Sequence, residues 1–260
     1  MVNVRPDFLS LPARTAKPRR RGITHVLDKG SPTGEVEALL RVCGPYVDVW
    51  KLGWGTAYLD PCLGDKLALL DTHGVLACTG GTLLEVAWQQ GVVDEYLDWA
   101  ESTGFPCVEV SCGAVSMSAA EKRSLIEAAA DRFIVLGEIG SKDPRADVAA
   151  PAWARAAGAD LDAGATWVVT EGRESGTVGL YDPAGEVRVD VVDAVVAAIG
   201  VDSTVFEAPR KDQQAWLIRR FGPDVNLGNV QPGEVLGLEA LRLGLRADTL
   251  TTSVSRASTR

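Results

Sequence analysis

Histidine is scarce here, with two residues in a chain of 260. That argues against a zinc centre built on several imidazoles. The five cysteines form no Cys-x-x-Cys pair and are odd in number, which argues against a disulfide framework and fits the reduced thiols of a cytoplasmic protein. Excess positive charge is missing as well: 35 acidic residues against 26 Lys and Arg leave a net charge of −9. A nucleic-acid partner, which requires a clustered cationic surface, is therefore not expected. No long apolar run exists; residues 191–201 come nearest but are broken by Asp193 and Gly200, well short of the roughly 20 residues of a membrane span. The basic stretch Arg14, Lys17, Arg19, Arg20 and Arg21 follows no apolar segment with a small-residue cleavage site, so it reads as a solvated tail rather than a secretory leader.

What remains is an ordinary globular composition, 46% hydrophobic and 23% charged, long enough to bury one substantial core. Short β-branched runs alternate with segments of helical period, which is the pattern of βαβ units on a parallel sheet. Strand cores are expected at 23–27, 47–51, 75–78, 107–110, 134–138, 167–170, 204–206 and 225–227. Helices are expected between them, for example over 35–42, 119–131 and 212–221. Eight such units close more naturally into a single-domain (β/α)8 TIM barrel than they extend an open, doubly wound sheet. No GxGxxG or GxxxxGK[ST] motif follows the first strand, which removes the main support for dinucleotide and P-loop readings. The expected organisation is a flexible N-terminal segment at 1–20, the barrel at 21–251 and a flexible tail at 252–260.

Chemistry on such a barrel gathers at the C-terminal ends of the strands. In order, those ends read Asp28-Lys29-Gly30, Lys51-Leu52-Gly53-Trp54-Gly55-Thr56, Thr79-Gly80-Gly81-Thr82 with Glu85, Glu109 with Ser111, and Glu138 with Ser141-Lys142-Asp143. Glu171 with Arg173-Glu174-Ser175-Gly176, Glu207 with Lys211 and Gln213-Gln214, and Asn226 with Gly228 and Asn229 complete the set. Charges beside apolar strands are costly to desolvate unless they are paired, bound to metal or used by a ligand. Lys29, Lys51, Lys142, Arg173 and Lys211 would make a locally positive funnel in an acidic protein. Glycine turns at Gly80-Gly81 and Gly228, and a helix starting near Gly233, offer backbone N–H groups to an oxyanion. A small, phosphate-bearing anionic substrate is the expectation. Carboxylates without histidine suit a hard cation such as Mg2+, with Glu109, Glu138 and Glu171 as the inward-facing candidates. His25 is expected inside a strand and His73 at a helix end.

These ordered motifs, from Asp28-Lys29-Gly30 through Gly80-Gly81-Thr82-Leu83-Leu84-Glu85, Gly140-Ser141-Lys142-Asp143-Pro144, Glu171-Gly172-Arg173-Glu174-Ser175-Gly176 and Phe206-Glu207-Ala208-Pro209 to Asn226-Leu227-Gly228-Asn229 and Leu241-Arg242-Leu243-Gly244-Leu245-Arg246, resemble phosphosulfolactate synthase. The likeness spans roughly residues 15 to 250. It implies Mg2+-dependent addition of sulfite to phosphoenolpyruvate, as in the early coenzyme M pathway. Lys142 matches the family's general acid or base, with Glu138 and Lys51 beside it as the catalytic set; a lysine in that role is expected to have its pKa lowered by burial and nearby cations. The metal would fall to Glu109, Glu138 and Glu171, and the substrate to Lys29, Arg173, Ser175, Gly176, Lys211, Asn226, Gly228 and Asn229. One departure stands out, because Ser111-Cys112-Gly113 replaces the family's Ser-Asp-Gly. A different nucleophile on phosphoenolpyruvate therefore stays open, as does a non-catalytic, stress-protective role like that of the family's plant members. Small anionic substrates and a second copy of the chain in a homo-oligomer, with no membrane or nucleic acid, complete the expected partners.

Overall fold

The computed structural model describes residues 8–143 and 148–250. Eight strands appear in the expected order: β1 (Thr24–Asp28), β2 (Val49–Leu52), β3 (Leu76–Thr79), β4 (Cys107–Val110), β5 (Ile134–Ile139), β6 (Trp167–Thr170), β7 (Thr204–Glu207) and β8 (Asn226–Val230). Each pairs in parallel with the next, and β8 returns to β1, so the sheet closes into a barrel. That closure excludes the open doubly wound alternative.

The helices around it are α1 (Thr33–Cys43), α2 (Thr56–Leu59), α3 (Leu63–Thr72), α4 (Gly81–Gln90), α5 (Val93–Thr103) and α6 (Ala119–Ala130), followed by α7 (Ala150–Asp162), α8 (Val189–Ile199), α9 (Lys211–Phe221) and α10 (Val235–Arg242). Local chemistry marks several ends. Ser118 and Glu121 form a capping box that starts α6, with Glu121 N donating to Ser118 Oγ at 3.2 Å and Ser118 N to Glu121 Oε2 at 2.8 Å. Gly104 ends α5 with a φ of 95°, a left-handed conformation open to glycine. His25 lies in β1 and His73 caps α3, both as expected.

Strand residues alternate between two buried faces. Outward ones such as Trp50, Val108, Val135 and Phe206 pack under the helices. Inward ones at the start of the strands, including Ile23, Val49, Cys107, Leu136, Trp167 and Val205, fill the barrel floor.

Two expectations change. The eighth strand continues beyond 227, because Gly228 is a strand residue paired with Glu207 and not a turn. A Cβ at that position would lie 3.0 Å from His25 Nδ1, a tight approach that favours glycine there. Residues 14–19, expected in a loose segment, are bonded to the barrel. Lys17 Nζ donates to the carbonyls of Gly44 and His73 at 3.2 and 3.1 Å, where α1 and α3 end, and Arg19 pairs with Asp48 at 3.0 Å. Arg14 pairs with Asp224 and with Glu239. Helix C-terminal carbonyls attract cations, which gives the basic stretch a docking function. Residues 1–7 and the expected tail at 252–260 lie outside the described residues.

Candidate active site

At the mouth, the inward positions switch from apolar to charged. Lys51 on β2 is buried near the barrel axis, and its ammonium donates to Glu109 Oε2 on β4 at 2.8 Å and to Glu207 Oε1 on β7 at 3.2 Å. Burial works to lower its pKa, but Glu109, Glu207 and Glu138 outweigh that and hold it well above the ordinary lysine value. The other oxygens of its partners are also engaged. Glu109 Oε1 accepts from Gly81 N at 2.9 Å, while Glu207 Oε2 accepts from Gly172 N at 2.8 Å and Arg173 N at 3.1 Å.

Lys142, beyond β5, stands in a second carboxylate group. Its ammonium is 3.2 Å from Glu138 Oε1 and 3.3 Å from Glu85 Oε1. Glu85, in the second turn of α4, accepts from Ser111 Oγ and from the backbone N–H groups of Gly113 and Ala114, both at 3.0 Å. It thereby ties the loop after β4 to the lysine. Burial pulls the Lys142 pKa down, yet Glu138 and Glu85 prevail and raise it. This corrects the expectation of a lowered value: carboxylates stand at contact distance from the ammonium.

The site holds more negative than positive charge, and the excess shows at two carboxyls. Burial first, then Glu138 and Glu207, push Glu109 up to about 7 against the pull of Lys51. Burial, Glu138 and Glu207 likewise raise Glu171 well above its ordinary value. Glu171 Oε1 accepts from Arg173 N at 2.7 Å, but its Oε2 is buried with no hydrogen-bond partner among the described residues. For Glu138, burial is outweighed by Lys142 and Lys51, which lower its pKa.

A cavity of about 280 Å3 opens among these groups, lined by Lys51, Glu109, Glu138, Lys142, Glu171, Arg173 and Asn229 of the expected residues. Arg173 adopts a φ of 51° and donates from Nη1 to the Lys142 carbonyl at 3.2 Å, so its backbone faces Glu171 and Glu207 while its side chain crosses the rim. Lys29 stands at the edge, 3.1 Å from Glu174, itself a lining residue.

The other expected residues lie elsewhere. Ser175 Oγ bonds to Thr177 Oγ1 at 2.8 Å on the surface, and the Gly176 carbonyl accepts from Gln213 Nε2 at 2.8 Å. Lys211, at the start of α9, pairs with Asp248 at 2.8 Å and lies largely in solvent. Asn226 is the first residue of β8, at the opposite end of the barrel from the mouth. It accepts from Ile23 N at 3.0 Å and donates to the Asp202 and Thr204 carbonyls at 2.9 and 3.1 Å. With Gly228 inside β8, the phosphate cradle expected after the last two strands contributes only Glu207 and Asn229 to the cavity wall.

Among the described residues, no three His, Cys, Asp or Glu side chains converge to hold a metal ion. Glu109, Glu138 and Glu171 are therefore not a preformed metal cage, since Lys51 and Gly81 N take the oxygens of Glu109. Glu207 and Glu85 stand among the strand-end residues above without an assigned role, and both prove central. Glu207 occupies the same strand-end position as Glu109 and Glu138, a signal the sequence carries. Glu85 follows the end of β3 but sits inside α4, and its reach to Lys142 becomes visible only when α4 packs beside β4.

The sequence profile of (2R)-phospho-3-sulfolactate synthase (ComA) matches residues 12–248. The chain belongs to the phosphosulfolactate synthase family. It is 43% identical over 250 residues to the phosphosulfolactate synthase of Methanothermobacter thermautotrophicus, covering 94% of this chain and 96% of that one. The Bacillus subtilis phosphosulfolactate synthase is 38% identical over 247 residues, with 94% and 98% covered. Among solved structures, 3-keto-L-gulonate-6-phosphate decarboxylase from Vibrio cholerae superposes with a TM-score of 0.53 at 14% identity over 89% of this chain and 98% of its own, a likeness of fold alone. No helix among the described residues is long and apolar enough to cross a membrane.

Proposed function

We propose that this enzyme adds sulfite to C3 of phosphoenolpyruvate, with Mg2+, to give phosphosulfolactate. The observation that carries the reading is the Lys142 ammonium, held at the cavity by Glu138 and Glu85 beside the partnerless Glu171 Oε2. In this scheme the sulfur lone pair forms the C3–S bond while the C2=C3 electron pair moves to C2, delocalised into the carboxylate. Lys142 then transfers its ammonium proton to C2. No group leaves, and the phosphate ester stays intact. A lysine held protonated by its neighbours always carries the proton to be given, and a carbanion is basic enough to take it. The amine regains a proton from solvent.

The Arg173 guanidinium and the Lys29 ammonium, both at the rim, would take the phosphate, and the cavity volume suits a three-carbon phosphate. A divalent ion fits the donors on hand: Glu171 Oε2 lacks a partner, the raised carboxyls signal uncompensated negative charge, and Mg2+ uses one or two carboxylates with its remaining positions filled by substrate and water. Glu171 with Glu138 would hold it, and it would supply positive charge where the substrate carboxylate becomes electron-rich. Cys112, which replaces the family's aspartate, is not among the residues lining the cavity, which favours sulfite as the nucleophile. A cytoplasmic setting accords with five free thiols, and self-association with the exposed Leu9, Leu236 and Leu245; sedimentation velocity reads the latter.

The deciding experiment incubates the protein with phosphoenolpyruvate and sulfite, with Mg2+ or with chelator, and looks by mass spectrometry for the sulfonated adduct. The adduct should form only with Mg2+. Equal formation in chelator would remove the metal from the scheme, and phosphoenolpyruvate binding without any adduct would remove sulfite.

A further inference from the structure

Beneath the mouth, charge interrupts the apolar layer between helices and sheet. α6 and α7 bury Leu125, Ile126, Trp153 and Ala157 against the barrel, yet they also bury Lys122 and Asp160. The Lys122 ammonium is 2.5 Å from Asp160 Oδ2 and donates to the backbone carbonyl of Glu138 at 2.6 Å. Asp160 presses on the same strand one residue earlier, where a Cβ on Gly137 would stand 2.6 Å from Asp160 Oδ2. The β4–β5 register ends at Val110 opposite Gly137, one residue short of Glu138. On the other side β6 pairs on through Glu138 and Ile139, so Lys122 supplies a donor to the strand just where its β4 neighbour stops.

Fold stability does not account for this pair. Removing two charges from water costs as much as their attraction returns, and well-packed apolar side chains of similar volume hold such a layer equally well or better. An apolar pair could not, however, hydrogen-bond the end of β5. Glu138 is the last residue but one of β5, and the ammonium it holds, Lys142, follows four residues later. Burial raises the Asp160 carboxyl pKa against the pull of Lys122, a mark of the strain of keeping the pair dry.

We infer that Lys122 and Asp160 are a positioning pair that fixes the end of β5, and through Glu138 fixes the Lys142 ammonium, in the geometry that proton transfer requires. The inference rests on the proposed role of Lys142. A misplacement of about 1 Å by groups remote from the chemistry is enough to cost roughly 100-fold in rate.

The test is the double variant Lys122→Met/Asp160→Leu, which replaces the pair with apolar groups. Its Tm should stay within a few degrees of the parent or rise, while kcat falls about 10- to 100-fold and KM for phosphoenolpyruvate changes little. Hydrogen exchange should accelerate in a peptide spanning 134–143 and not in the other strands. A folded double variant with parental kcat, or with unchanged exchange in that peptide, overturns the inference. Should the double variant fail to fold, Asp160→Asn decides on the same readouts, since it keeps shape and an acceptor but removes the counter-charge. If the parent forms no adduct, the proposed reaction fails, whereas the exchange comparison needs no turnover and still shows whether the pair fixes the strand end.

Discussion

Along the same strands, Val49, Cys107, Leu136, Val169 and Val205 fill the barrel floor, and two residues further on stand Lys51, Glu109, Glu138, Glu171 and Glu207. Both layers face inward and both are buried; two residues, one pleat repeat, separate them. The floor stabilises the fold by removing apolar surface from water, at about 25 cal/mol per Å2. The upper layer loses hydration and recovers only part of that through Lys51 and the backbone N–H groups of Gly81, Gly172 and Arg173. Stability is concentrated below and unbalanced charge above, so substitutions in the two layers should separate fold from chemistry.

The largest effect expected is on turnover. Lys142→Met should lower kcat by roughly 10²- to 10⁴-fold, the range for loss of a general acid, with phosphoenolpyruvate affinity little changed. Steady-state kinetics beside calorimetric titration check this, and full kcat in the variant would end the proton-donor role. Lys51→Met should break the layers' separation by costing stability as well, about 3–5 kcal/mol in denaturant unfolding, because Glu109 and Glu207 would lose their shared ammonium while still buried. Leu136→Ala, in the floor, should cost about 2–5 kcal/mol but leave kcat per folded molecule unaltered. A floor variant that folds yet turns over slowly would show that the layers are not independent.

A smaller effect concerns pH. Burial, with Glu138 and Glu207, pushes the Glu109 pKa up to about 7 in the folded chain, above its ordinary value of 4.5. The folded state therefore binds the extra proton, and this contribution to stability is present at low pH and lost as pH rises through that window. Relative to Glu109→Gln, the parent should become progressively less stable between about pH 4.5 and 7; a constant difference in unfolding free energy across that range would refute the assignment. The smallest effect belongs to Lys211→Ala. Its exposed, solvent-screened pair with Asp248 should add little to stability, and kcat should stay within about twofold of the parent.

Much of this was legible in residue order. The eight apolar runs, the turns between them and the charged strand ends specify a barrel and point to its mouth, and Lys51, Glu109, Glu138, Lys142, Glu171 and Arg173 do meet there. The misplacements have local causes. Asn226, inside the expected strand core 225–227, groups in sequence with Gly228 and Asn229 at that strand's functional end, but β8 starts at Asn226 and runs to Val230, which puts Asn226 at the far end and Gly228 within the strand beside His25. Lys211 and Ser175 follow strand ends in sequence, yet their chain segments turn outward to Asp248 and Thr177.

By itself the sequence determined which residues face inward, because a strand's period of two follows from backbone geometry, and it determined the family through motifs that are contiguous along the chain. Only the tertiary structure decided which charges neutralise one another. Glu109 rather than Glu138 takes the Lys51 ammonium with Glu207, Glu85 reaches Lys142 from a helix, and Lys122 meets Glu138 through its carbonyl. Those pairings depend on distances of a few ångströms between residues as many as 156 positions apart, and electrostatic interaction in a buried site follows separation in space, not along the chain.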